Sequence, residues 1–120
     1  MQKRLRRIAT YLAIVYMGVL ALLMLLETTL LYPAPPPSQG DWQAKWLEHE
    51  DVHFTSSDGT SLHGWYCPQA DARFSILFCH GNGEDVSNLA DELDFLRQNY
   101  QANVLAFDYR GYGHSQGRPF

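Results

Sequence analysis

The chain has 120 residues, with nine Lys or Arg against thirteen Asp or Glu and a net charge of −4. Four of the nine basic residues (Lys3, Arg4, Arg6 and Arg7) lie in the first seven positions, so the remainder is acidic, which argues against nucleic acid as a partner. Cys67 and Cys79 are the only cysteines, too few for a disulfide framework; both fall in predicted strands and read as small buried apolar side chains.

Behind the basic flank, Ile8 to Leu26 carries neither a formal charge nor a proline. That is long enough to cross a hydrocarbon core as a helix. The pattern predicts a single-pass transmembrane signal anchor over residues 8–31. Residues 1–7 would stay cytoplasmic, with the rest of the chain extracytoplasmic. A cleaved signal peptide is the alternative. Against it, the apolar run exceeds a usual signal core, and Glu27-Thr28-Thr29-Leu30-Leu31-Tyr32-Pro33 offers no Ala-x-Ala site. A buried soluble helix would need a polar face, which this stretch lacks.

Residues 32–47 start as a proline-rich spacer, Tyr32 to Gly40, which ends the membrane helix and sets the next domain off from it. Asp41 is placed to cap a short helix bearing Trp42, Trp46 and Leu47. The two tryptophans suit either the lipid headgroup region or packing on the domain. Val52-His53-Phe54 and Ser61 to Tyr66 flank an Asp58-Gly59 turn, a strong hairpin signal. Phe74-Ser75-Ile76-Leu77-Phe78 has the length and composition of a short buried strand. His80-Gly81-Asn82-Gly83 then breaks the chain. Val86, Leu89, Leu93, Leu96 and Tyr100 recur at helical spacing, which predicts a helix over residues 85–100 with Glu84 and Asp85 at its positive end. Asn103 to Asp108 is a second buried strand, so strand, helix and strand form a parallel unit. A glycine-rich segment from Tyr109 to Phe120 follows.

A strand, a Gly-rich turn and a helix together expose backbone N–H groups that can hold a phosphate or an oxyanion. No lysine follows at P-loop spacing, and the third glycine of a dinucleotide fingerprint is missing. Two other motifs match in letters only. His49-Glu50-Asp51-Val52-His53 fits the H-E-x-x-H zinc motif, but its second half runs into a strand, where positions four apart cannot share one metal; no metal site is expected. Gly113-His114-Ser115-Gln116-Gly117 fits the G-x-S-x-G nucleophile elbow. Ser115, however, lies in a loop seven residues past Asp108 with no helix behind it, which leaves it a weak candidate nucleophile and more simply a loop serine. Asp108, His114 and Ser115 crowd into eight residues, with nothing to orient the imidazole as a triad would need. Trp65, Tyr66 and Tyr112 suit a pocket wall or core packing equally.

Taken in order, Asp58-Gly59-x-x-Leu62-x-Gly64-Trp65-Tyr66, Phe78 to Glu84, and Phe107-Asp108-Tyr109-Arg110-Gly111-Tyr112-Gly113-x-Ser115-x-Gly117-x-Pro119 form a more specific pattern. Residues 48–120 resemble the N-terminal part of membrane-anchored α/β-hydrolase-fold proteins of the serine aminopeptidase and lysophospholipase-like branch. The resemblance implies an α/β fold: an antiparallel hairpin plus one βαβ unit of a hydrolase sheet, behind a transmembrane helix. It implies a serine hydrolase that cleaves an ester, thioester or amide of a small-molecule acyl substrate through an acyl-enzyme, with no cofactor. By the same resemblance His80-Gly81-Asn82 is the oxyanion loop. The Asn82 backbone N–H would be a donor, supported by Gly81 and Gly83, and His80 would shape the loop. Asp108 and Arg110 would organise the following loop. The family's nucleophile, acid and base lie beyond Phe120, so the expectation is a frame truncated before the nucleophile elbow and inactive as given. A non-catalytic, membrane-anchored binding half-domain is the alternative.

Overall fold

The computed structural model describes residues 1–119, in two compact units, Met1–Leu31 and Tyr32–Phe120. The first unit is one helix, α1 (Gln2–Leu31), so the basic flank is helical too. None of its residues is buried, and its most apolar window has a mean hydropathy of 2.3. At 1.5 Å per residue its 30 residues reach about 45 Å, long and apolar enough to cross a membrane.

The second unit is built on a four-stranded mixed sheet of β1 (Glu50–Thr55), β2 (Ser61–Cys67), β3 (Phe74–Phe78) and β4 (Ala102–Phe107), in the order β1-β2-β4-β3. The predicted hairpin forms: β1 and β2 are antiparallel with His53 opposite His63, and Asp58 Oδ1 accepts the Thr60 N–H inside the turn. β2 continues antiparallel to β4, pairing Trp65 with Ala106. β3 and β4 are parallel, pairing Ile76 with Val104, and are joined through α2 (Ala90–Tyr100) as the strand–helix–strand pattern requires.

Strand alternation builds the core. Ala102, Val104 and Ala106 of β4 are fully buried, as are Trp65 and Cys67 of β2. α2 lays Leu93 on that face, with Val86, Leu89, Ala44 and Leu47 closing it. Extending the same period by two carries β4 to Asp108, whose side chain is also fully buried. In β2 it starts at His63, 1% exposed. A hydrogen-bonded His–Asp pair thus sits on the face that the neighbouring positions fill with apolar groups.

Four sequence expectations need correction. β3 is not buried: it lies at the sheet edge with Phe74 50% and Leu77 61% exposed, because it pairs on one side only and no described layer covers its outer face. Cys79, just beyond β3, is exposed for the same reason, whereas Cys67 is buried. The helix predicted from residue 85 starts at Ala90. Asp85 instead caps a 3-10 turn, Val86–Asn88, accepting from Ser87 N–H while the Asn88 side chain accepts from Asp85 N–H. No helix follows Asp41. Its carboxylate accepts the N–H groups of Gln43 and Ala44 at 3.2 Å each and makes a side-chain turn. Trp42 packs on the domain, stacked on His114 with ring centres 3.7 Å apart, while Trp46 stays exposed.

Candidate active site

Because β3 and β4 are parallel, the turns after them emerge at the same end of the sheet, where open α/β sheets form their binding crevices. After β3, Glu84 N–H bonds to Gly81 O and closes a four-residue turn. Gly83 is its third residue at φ 88°, the type II position that disfavours any side chain. The Glu84 carboxylate folds back to accept Gly81 N–H at 2.9 Å, so it belongs to the turn and not to the following helix.

His80 is 4% exposed, and both its ring nitrogens bond to backbone. Tyr109 N–H donates to Nε2 at 3.3 Å, so the ring proton sits on Nδ1 and goes to Gly81 O at 2.8 Å. Tyr109 returns a bond from its hydroxyl to His80 O at 3.0 Å, and the two rings lie 4.1 Å apart. Tyr112 Oη donates to Asn82 Oδ1 at 2.7 Å. His80 therefore ties the turn after β3 to the loop after β4, and Tyr112 ties Asn82 to the same loop. Between them opens a cleft of about 450 Å³. Asn82, Leu62, Phe107, Tyr109, Tyr112 and Pro119 are among its walls, which makes it largely apolar with the turn at its rim. Of the three aromatic residues singled out in the sequence, only Tyr112 lines it. Trp65 is core, and Tyr66 lies elsewhere on β2.

Ser115 does not face that cleft. Its hydroxyl donates to Asp108 O at 2.7 Å and accepts His63 N–H at 2.9 Å, so both its donor and an acceptor site are bound to backbone. Asp108 is likewise consumed internally: Oδ1 accepts Val86 N–H at 2.9 Å, and Oδ2 accepts His114 N–H at 3.1 Å and faces His63 Nδ1 at 2.9 Å. His114 meets this carboxylate through its backbone and stacks its ring on Trp42, so Asp108, His114 and Ser115 are adjacent without forming a relay. Arg110 pairs with Asp58 of the hairpin turn. The Thr60 backbone and Arg110 together lower the Asp58 carboxyl to about 2.

β1 begins at Glu50, so His49 and His53 are not on a helix. His49 packs on Trp65 and bonds Leu47 O, while His53 sets its ring edge to His63. Among the described residues no three His, Cys, Asp or Glu side chains are grouped to hold a metal ion. Two residues that the sequence reading passed over, His63 and Asp51, join Asp108 in a polar cluster: His63 is buried, and its Nε2 lies 2.7 Å from Oδ1 of Asp51, which is exposed at the cluster's edge. The available signal was a histidine at a core position of a period-two strand, His63-Trp65-Cys67.

No protein-family profile matches the chain. The uncharacterized protein YfhR of Salmonella typhi is 38% identical over 77 residues, covering 60% of this chain and 26% of that protein. The α/β hydrolase domain-containing protein WAV2 of Arabidopsis thaliana is 34% identical over 76 residues, 61% of this chain and 24% of that protein. Among solved structures, the Pyrococcus furiosus esterase Pf2001 superposes with a TM-score of 0.56 at 30% identity, over 70% of this chain and 33% of the esterase. The chain has α/β-hydrolase homologues in both sequence and structure. Its four-stranded sheet resembles the α/β-hydrolase fold, preceded by a long apolar helix. It spans about a quarter of the length of the curated relatives and a third of the esterase.

Proposed function

We propose that residues 32–120 form the oxyanion-loop part of a membrane-anchored serine hydrolase. In this reading the enzyme hydrolyses an ester, thioester or amide through an acyl-enzyme. The observation that carries it is the Gly81–Glu84 turn, held by His80 and Tyr109 at the C-terminal end of a parallel strand pair and on the rim of an apolar cleft. The esterase and hydrolase relatives support a hydrolase-type activity.

In the proposed mechanism an acyl group lies along the cleft wall of Phe107, Tyr109 and Tyr112. The Asn82 backbone N–H donates to the oxygen that gains charge as the tetrahedral intermediate forms. One such donor is worth roughly 3–4 kcal/mol, or 10²–10³ in rate. His80 takes no proton from substrate here, because its Nε2 lone pair receives Tyr109 N–H. The nucleophile, acid and base are not assigned within these 120 residues, and the 120-residue chain by itself is expected to be inactive. α1 serves as the single-pass anchor, with its basic end cytoplasmic and the hydrolase part outside. No cofactor enters the chemistry.

Labelling of membranes that express the native gene with a fluorophosphonate, followed by location of the adduct by mass spectrometry, tests the reading. The expected adduct is on the serine of a nucleophile elbow outside residues 1–120. An adduct on Ser115 would overturn the assignment. A second reading, a non-catalytic half-domain that completes its sheet with a partner strand, is favoured by the exposed β3 edge. It predicts no adduct at all.

A further inference from the structure

The cluster beneath the oxyanion turn does something that the hydrolytic chemistry does not require. His63 is 1% exposed, and both of its ring nitrogens lie on carboxylate oxygens: Nδ1 on Asp108 Oδ2 at 2.9 Å and Nε2 on Asp51 Oδ1 at 2.7 Å. A neutral imidazole has one N–H, and an ionised carboxylate has only lone pairs. Two such contacts therefore need either an imidazolium or a protonated carboxyl. The remaining partners decide between them, because all of them are donors. Val86 N–H and His114 N–H bond to Asp108, and Trp65 Nε1–H bonds to Asp51 Oδ1 at 3.1 Å. Two backbone donors on Asp108 and the indole donor on Asp51 favour the ionised form of each carboxyl. The ring is therefore the charged partner.

We propose that His63 is a positioning residue, an imidazolium that fixes the Asp108 carboxylate so that it ties the backbone just after the oxyanion turn to the loop after β4. Val86 lies two residues after the turn, and its N–H is one of those a helix start leaves without an internal partner. His114 lies in the loop that supplies Tyr109 and Tyr112 to the turn. Cross-strand geometry makes the grip possible. Asp108 N–H bonds to His63 O, which places the two side chains together on the core face, and Asp51 is diagonal to His63 across the hairpin. Gly113 passes so close that an added Cβ would lie 2.2 Å from Asp108 Oδ2, so the loop is wrapped directly over the carboxylate.

The titratable groups facing His63 are Asp51 and His53 from β1, and Asp108 and His114 from the loop after β4. The segment before β1 contributes Trp42, with its ring edge to the imidazole. Burial works against the charged ring, yet the bonds to Asp108 and Asp51 outweigh it and raise the His63 pKa above its ordinary value. The role assigned to His63 rests on the reading of Gly81–Glu84 as the oxyanion turn, whereas the grip on Val86 and His114 can be measured without any turnover.

The test is NMR on the full chain in detergent micelles, following the His63 ring nitrogens and the hydrogen-exchange protection of Val86 and His114 from pH 5 to 10. The expected result is a doubly protonated His63 ring at neutral pH. As it loses its proton, protection of both amides should fall together by about tenfold, the worth of one hydrogen bond. His63→Gln should show the lower protection at every pH, with no titration. A His63 ring that is neutral at pH 6, or Val86 and His114 protection that ignores its titration, would overturn the proposal. The wild-type titration decides the matter even if the variant fails to fold. Failure of the hydrolase reading alone leaves this titration unchanged.

Discussion

At the scale of single residues, the structure concentrates its electrostatics on one buried carboxylate. The linked groups set a pH window. His63 has a raised pKa in the folded state, so its contribution is complete below the unfolded value of about 6.5 and is lost as pH rises through the folded value. Asp51 is disfavoured by burial but is lowered overall by bonds from His63 and Trp65. Its contribution is therefore present above the ordinary carboxyl value of 3.8 and lost as pH falls through the folded one. Thermal unfolding followed by tryptophan fluorescence should thus show a plateau in mildly acidic to neutral solution and a decline on both sides. His63→Phe should flatten the alkaline decline. Gly113→Ala adds a second check. At φ 48°, with Asp108 Oδ2 2.2 Å from the new Cβ, it should cost at least about 2 kcal/mol in denaturant unfolding, compared with a few tenths at an open surface site.

At the scale of elements, the sequence showed what depends on local pattern. The Asp58-Gly59 hairpin, the parallel β3–α2–β4 unit and the glycine turn after β3 all follow from periodicity and turn chemistry. Burial was less legible. Phe74 to Phe78 reads as buried because an apolar run does not say how many neighbours its strand will find, and β3 finds one. The start of α2 was misplaced because Asp85 and Asn88 satisfy the backbone of a separate turn, and helical spacing of the apolar residues does not reveal that competition. The His63–Asp108 pair was missed because its members are 45 positions apart and meet only once β2 and β4 are paired. The two cysteines give a simple check on the edge strand. Cys67 is buried, which pushes its thiol up to about 11, whereas Cys79 is exposed. One thiol should react with a maleimide in the native protein and two after unfolding.

At the scale of the whole molecule, an apolar helix with a basic start precedes a hydrolase-like sheet in which the turns after β3 and β4 emerge at the same end. If α1 is an anchor, the protein should stay with the membrane through alkaline carbonate extraction, and protease added outside should remove residues beyond α1 while sparing the basic end. Release by carbonate would contradict the anchor. In the proposed mechanism hydrolysis depends on the turn at the rim of the cleft, and one backbone atom separates that role from a merely structural one. Asn82 occupies the second position of its turn, where proline is conformationally suited, so Asn82→Pro deletes the N–H while keeping the bend. Asn82→Ala keeps the N–H and removes the side chain that accepts from Tyr112. The decisive measurement is ester turnover by the native gene's product in membranes, for the wild type and these two variants. The oxyanion role predicts a 10²–10³-fold fall in kcat for Asn82→Pro and a change of less than about tenfold for Asn82→Ala. Equal losses in the two, or full turnover by Asn82→Pro, would contradict it.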